Sequence, residues 1–183
     1  MRPLFTALGL LLGWEALVRL TGVPVYILPP PSTVLAVLVQ RADLLAAEAA
    51  WTAAEMLLGL ALGLVLGGGL AIVFAASAGW RRWALPLVIV SQAIPVIALA
   101  PLLVLWLGYG MASKVAMAAL VIFFPVVSAL YDGLRRTEPG WIDLARTMDA
   151  PPSAVLLQVR LPAALPAFAS GARIAAALSL IHI

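Results

Sequence analysis

Apolar stretches alternate with short polar breaks along nearly the whole chain, and a transmembrane helix needs roughly 20 such residues in a row. The first runs from about Leu4 to Leu20. Its opening, Leu4 to Leu17 after Met1-Arg2-Pro3, has the outline of a signal-peptide apolar region. No small-x-small cleavage site follows and Trp14-Glu15 interrupts the run, so an uncleaved first span is expected. Gly22 to Ser32 contains three consecutive prolines, which lack the amide donors a helix uses. Ser32 or Thr33 is placed to cap a helix from Val34 to about Glu48. The charges at Arg41, Asp43 and Glu48 predict that this helix lies at the membrane surface rather than crossing. Further spans are predicted over about Ala49 to Ala76, Ala84 to Leu107 and Val115 to Leu134, and part of a fifth from near Ala163 or Ala167.

The few residues that break the apolar pattern carry most of the information. Gly59, Gly63 and Gly67 share one face of the second span, where missing side chains let another helix approach closely; glycine is also simply common in membrane helices. Glu55, a carboxylate about two turns into that span, must face protein, water or the headgroups, as a structural group or on a solute pathway. Paired arginines and tryptophans in Gly79-Trp80-Arg81-Arg82-Trp83 mark a lipid–water boundary. The third span holds Pro86, Pro95 and Pro101, with Ser91 and Gln92 as its polar side chains. Each proline frees a carbonyl, so a kinked, buried helix is expected. A pathway would then pass Ser91, Gln92 and Pro95, unless Gln92 merely bonds a neighbouring helix. Gly108-Tyr109-Gly110 and Lys114 form a tight turn, Pro125 breaks one bond in the fourth span, and Asp132, Arg135 and Arg136 mark its exit.

Between the fourth and fifth apolar stretches lies a polar loop of about residues 135–162. Glu138-Pro139-Gly140 reads as a turn, and Trp141 to Met148 as a short helix with Trp141, Leu144, Ala145 and Met148 on one side. Asp149-Ala150-Pro151-Pro152 ends it, because a residue before proline is pushed out of the α region. Ser153 can cap a second short helix, Ala154 to Arg160, before Leu161-Pro162 turns the chain into the membrane. Two short helices with arginines and an apolar face make a docking element.

Composition agrees with the pattern. Of 183 residues, 64% are hydrophobic and 10% charged, against about 45–50% and about 25% in soluble domains. The net charge of +3 is explained by arginines at span ends rather than by nucleic-acid binding, since no basic run with interleaved aromatics exists. The chain has no cysteine and one histidine, His182, which leaves no thiolate chemistry, metal cluster or cofactor site in view. A cytoplasmic N-terminus would put Arg2, Arg81, Arg82, Arg135, Arg136, Arg146 and Arg160 inside, with Arg19, Arg41 and Lys114 outside. That excess favours this orientation and places the loop in the cytoplasm.

The loop also resembles a known family. The signature Glu-Ala-Ala, three residues, Gly, nine residues, Ile-x-Leu-Pro belongs to permease subunits of bacterial ABC importers. It lies over this chain without gaps: Asp143, Leu144 and Ala145 stand first, Asp149 at the glycine, and Val159, Leu161 and Pro162 at the end. Leu144 and Asp149 depart from it. The glycine implies a left-handed backbone, and aspartate is among the few other residues that visit it. Further segments resemble the nitrate, sulfonate, taurine and pyrimidine-precursor branch: Trp14-Glu15, Ile27-Leu28-Pro29, Ser91 to Pro95, Ala98 to Leu102, Trp106 to Gly110, Phe123 to Pro125, Asp132 to Leu134 and Leu161 to Pro166. Glu55 and the Ser-Gln-x-Ile-Pro and Phe-Phe-Pro segments lean toward the pyrimidine (thiamine-precursor) permeases.

The resemblance implies an all-α, polytopic helical membrane protein of the type I ABC importer permease fold, in one transmembrane domain over residues 1–183. It would sit in the bacterial inner membrane, pair with a second permease copy, and work with a cytoplasmic ATP-binding subunit and an extracytoplasmic solute-binding protein. The loop would couple to the ATPase, and the permease would perform no covalent chemistry. The family has six spans; four complete spans and part of a fifth are expected here, hence C-terminal truncation. Residues 178–183, Leu-Ser-Leu-Ile-His-Ile, also match a translated transposon-end sequencing adaptor, although a natural Ala-Leu-Ser-Leu-Ile remains open. The alternative class is an ion-coupled secondary transporter, but such carriers bury several ionisable residues, and here Glu55 is nearly alone. An intramembrane enzyme lacks a paired nucleophile and base.

Overall fold

A computed structural model describes residues 2–182 apart from Gln92; the side chains of Ile97 and of residues 180–182 also lie outside the description. Among the described residues all regular structure is helical. The chain divides into two compact units, Met1–Trp51 and Thr52–Ile183.

In the first unit, α1 (Arg2–Thr21) is the expected first span. Gly22 ends it with a left-handed φ of 63°, and α2 (Pro31–Gln40) follows. Neither Ser32 nor Thr33 caps this helix, contrary to expectation. The helix starts at Pro31, because proline's fixed φ and missing N–H suit a first helical position, and Ser32 caps nothing. Instead Ser32 donates from its backbone N–H (3.0 Å) and Oγ (2.8 Å) to the Glu15 carboxylate, which Arg19 also holds at 2.7 Å. Helix α2 also stops earlier than the expected Glu48. Arg41 leaves helical geometry (φ −111°, ψ 23°), and α3 (Ala42–Ala76) runs on without a break into the second apolar stretch.

The second unit is built on α6 (Met111–Arg135), which packs along α3 and along α9 (Leu161–His182). Gly59 sits against Ala118, Gly63 against Ile122 and Gly67 against Val126, so contacts advance in the same direction on both helices. The glycine face of the sequence reading is therefore a packing face, and α3 and α6 run parallel. On the other flank Gly133 meets Ala164 and Gly171 meets Ala129, an antiparallel register. Phe74, Leu130, Tyr131, Leu134 and Ala164 lie buried where these helices meet, with Phe74 edge-on to Tyr131 at 6.0 Å.

Parallel α3 and α6 require the chain between them to return from the end of the first to the start of the second. It does so in pieces: α4 (Ala78–Ser91), a 3₁₀ turn (Val96–Leu99) and α5 (Ala100–Leu107). One kinked helix was expected, and an interrupted one is found. Pro86 is tolerated inside α4, but Pro95 keeps Ile94 out of the α region, and short-range bonds replace the helical ladder there (Ala93 N–H to Val90 O, 3.0 Å; Ala98 N–H to Pro95 O, 2.9 Å). Pro101 lies in the first turn of α5, as its second residue, where its missing donor does no harm. At about 1.5 Å per helical residue the pieces together suffice for a core of about 30 Å.

After α6 come α7 (Pro139–Thr147), the single turn α8 (Pro152–Ala154), a π-helical stretch (Val155–Arg160) and α9. Leu161-Pro162 was expected to turn the chain. It does not: Pro152 to Ser179 is one helical run, long and apolar enough to span. The wider π turns, with Leu161 N–H bonded to Leu156 O, accommodate the Pro162 ring just beyond them.

Candidate functional site

The polar loop is fastened at both ends to one carbonyl. The last carbonyls of a helix have no partner within it, and Leu134 O, in the final turn of α6, receives three donors: Thr137 Oγ1 at 3.2 Å and Arg160 Nε and Nη2 at 3.1 and 2.9 Å. Thr137 is buried beneath the turn. A guanidinium fork aimed at a single oxygen ties the π stretch to the end of α6. Nothing in the sequence distinguishes Arg160 from the other arginines of the loop; its role emerges only when residues 26 apart in sequence are brought together.

Between those anchors α7 starts at Pro139, two residues before the expected Trp141. Asp149 ends it with φ 54°, the single non-glycine residue in the left-handed region among the described residues. Asp149 N–H donates to Arg146 O (3.0 Å) and Ala150 N–H to Ala145 O (3.1 Å). These two bonds form a Schellman cap, the motif that usually takes glycine at this position. The expected left-handed turn is thus present, on aspartate. Pro151-Pro152 then block any continuation of the helix.

Capped in this way, α7 holds Trp141, Leu144 and Met148 in the open, at 56%, 62% and 74% exposure. Asp143 and Arg146 pair loosely beside them at 3.4 Å. Ala145 is half-buried and lends its carbonyl to the cap. Val159 and Leu161 are half-buried, Leu161 against the cluster around Leu134, while Pro162 is exposed in the first turn of α9.

The residues expected along a pathway do not form one group. Glu55 is buried and paired with Lys114, whose Nζ lies 3.0 Å from Oε1 and 3.2 Å from Oε2. The pair continues the same parallel register as the glycines. Ser91 Oγ donates to its own helix at Val88 O (2.8 Å), Pro95 is exposed at the interruption, and Gln92 lies outside the described residues. No hydrogen bond joins Glu55 to Ser91 among the described residues. Lys114 as the partner of Glu55 escaped the sequence reading. The available signal was that Glu55 is the one charge from Ala49 to Ala76 and Lys114 the one charge between Arg82 and Asp132.

The pair is asymmetric, with side-chain exposures of 6% for Glu55 and 59% for Lys114. Lys114→Met strands a buried carboxylate and is expected to destabilise by about 1–3 kcal/mol. Glu55→Gln leaves only a solvated ammonium, and its effect should stay below about 1 kcal/mol. Thermal unfolding in nanodiscs compares the two, and equal losses would refute the asymmetry.

Four helices long enough to span, an interrupted segment between two of them and a capped, exposed helix in the polar loop define a multi-pass helical membrane protein. The chain belongs to the family of binding-protein-dependent transport system inner membrane components, whose profile matches residues 59–183. It is a permease of the ABC importer class. It is similar to a probable ABC transporter permease of Haemophilus influenzae, 48% identical over 181 residues, which cover 99% of this chain and 74% of that protein. A formylaminopyrimidine transport permease, ThiX, of Halalkalibacterium halodurans is 37% identical over 99% of this chain and 72% of its own length. A riboflavin transport system permease, RibX, of Chloroflexus aurantiacus is 36% identical over 95% and 66%.

Proposed function

We propose that the chain is the channel-forming subunit of an ATP-driven importer of a small polar solute, and that α7 seats in a cleft of a cytoplasmic ATP-binding subunit. The observation that carries this reading is the exposed apolar face of α7, presented rigidly by the Asp149 cap and the clasp of Arg160 and Thr137 on Leu134. A helix held in this way transmits displacement instead of absorbing it. Closure of the ATPase would move α7, α7 would move the end of α6, and α6 would carry α3 through the glycine register and the Glu55–Lys114 pair. Such a bundle, biased between two packings, is how alternating access is driven.

The arginine excess supports a cytoplasmic N-terminus in the bacterial inner membrane. Family membership supports a second permease copy, two ATP-binding subunits and an extracytoplasmic solute-binding protein as partners, with no covalent chemistry in the permease. The break at Ala93 to Pro95, just after Ser91, is the candidate lining of the pathway, because unwound backbone at membrane depth is tolerated where it faces protein or a watery cavity. Nitrate, sulfonates and taurine are candidate solutes. A pyrimidine thiamine precursor ranks ahead of them, supported by the similarity to the formylaminopyrimidine permease, and riboflavin is the first competitor to assay.

The ATP-binding subunit should co-purify with the wild-type chain. Ala145→Arg should lose it while still inserting in the membrane, because a long cation beside Leu144 and Met148 spoils the apolar face. Undiminished association of that variant would refute the docking role of α7.

A further inference from the structure

A second feature is independent of the transport reading. The start of α4 and the end of α6 enclose an open cavity of about 550 Å³ walled by Arg81, Arg82, Arg135, Tyr131, Leu85 and Pro86. Three guanidinium groups face it, and none forms a salt bridge with a carboxylate among the described residues. Arg135 is steadied over the Tyr131 ring, 5.7 Å from its centroid. Three like charges around one cavity repel unless an anion enters. Trp80 and Trp83, both exposed on the same turn of α4, mark headgroup depth. Beyond the arginines α4 continues as an exposed apolar surface, Leu87, Ile89 and Val90, along which an acyl chain can lie.

We propose that this cavity binds the phosphate of an anionic phospholipid headgroup, gripped by Arg81, Arg82 and Arg135, with its acyl chain running down α4. Arginine suits the task because its planar fork donates two parallel hydrogen bonds to phosphate oxygens. The apolar track favours a lipid over free phosphate, and basic pockets between helices at the membrane surface are where such headgroups are recognised.

The test is native mass spectrometry of the full chain from nanodiscs of phosphatidylcholine mixed with phosphatidylglycerol. Wild type should retain phosphatidylglycerol preferentially. Each single Arg→Ala change at these positions should weaken retention about fivefold, and the triple change about a hundredfold. Arg146→Ala, which removes the same charge elsewhere, should leave retention as it was. The triple Arg→Lys variant keeps the charge and guards against misfolding; it should retain part of the preference. Equal retention of both lipids by wild type would overturn the proposal. So would inorganic phosphate displacing the lipid at millimolar levels, which would make the site one for free anions. Unchanged lipid retention in the triple alanine variant, with loss of the ATP-binding subunit, would assign the arginines to protein docking instead.

Discussion

Replacing Gly63 with leucine is expected to force α3 off α6 and to destabilise the bundle beyond the about 1–3 kcal/mol typical of overpacking. A Cβ at Gly63 would already lie 2.6 Å from Ile122 Cγ2, 2.7 Å from Ile122 Cβ and 3.0 Å from the Ala119 carbonyl oxygen. Ile122 is fully buried, and a carbonyl engaged in a helix cannot step aside. Even Gly67→Ala should be felt, because its Cβ would come within 2.8 Å of Phe123 O. Gly69, on the same helix, has nothing within 4 Å of an added Cβ. Gly69→Ala should therefore be neutral, or stabilising by up to about 1 kcal/mol from helix propensity alone. Thermal unfolding in nanodiscs ranks the three variants. If Gly63→Leu and Gly69→Ala unfold together, the parallel α3–α6 register is wrong, and with it the inference that the interrupted segment returns the chain from the end of α3 to the start of α6.

How much of this was legible in the sequence depended on whether the determining interaction was local. Spans set by long apolar runs came through: α1 and α6 lie within a few residues of their expected ranges. The glycine spacing announced a packing face, since the four-residue repeat is a property of one helix. Which helix it meets was not announced, because that register belongs to the pair. Proline was read correctly as a breaker and wrongly in degree. Pro86 stays inside a helix, Pro95 ends one, and Pro162 is absorbed by a widened turn, outcomes that differ with what neighbouring backbone can do. Ser32 had the right chemistry for a cap, but Glu15, 17 residues away, offered a charged acceptor for both its donors. Of the loop, the backbone turn at Asp149 could be foreseen from its place at the glycine of the permease signature and from aspartate's tolerance of that region, whereas the Arg160 clasp could not.

Asp149→Val should uncouple the loop without unfolding the bundle. At φ 54° a side chain sits close to the following carbonyl, which costs an L-residue roughly 1–2 kcal/mol. Aspartate and asparagine tolerate the position, glycine is free of the penalty, and a β-branched side chain fits it worst. Asp149→Gly should therefore keep or modestly strengthen the cap. Valine should push the backbone out of the left-handed region and release both cap bonds, Asp149 N–H to Arg146 O and Ala150 N–H to Ala145 O. Hydrogen exchange reads this directly: protection at the Asp149 and Ala150 amides should fall about tenfold or more in the valine variant, since about 1.4 kcal/mol is a factor of ten, and should hold in the glycine variant. The buried α3–α6 amides should not change in either. The functional consequence follows from rigidity. In the proposed docking role a frayed α7 would still offer Trp141 and Leu144 to a partner but would no longer pass displacement on to α6, so solute-stimulated ATP hydrolysis should drop more than association with the ATP-binding subunit does. If the valine variant exchanges and couples like the wild type, the left-handed turn at Asp149 is incidental, and the transmission route through α7 loses its mechanical basis.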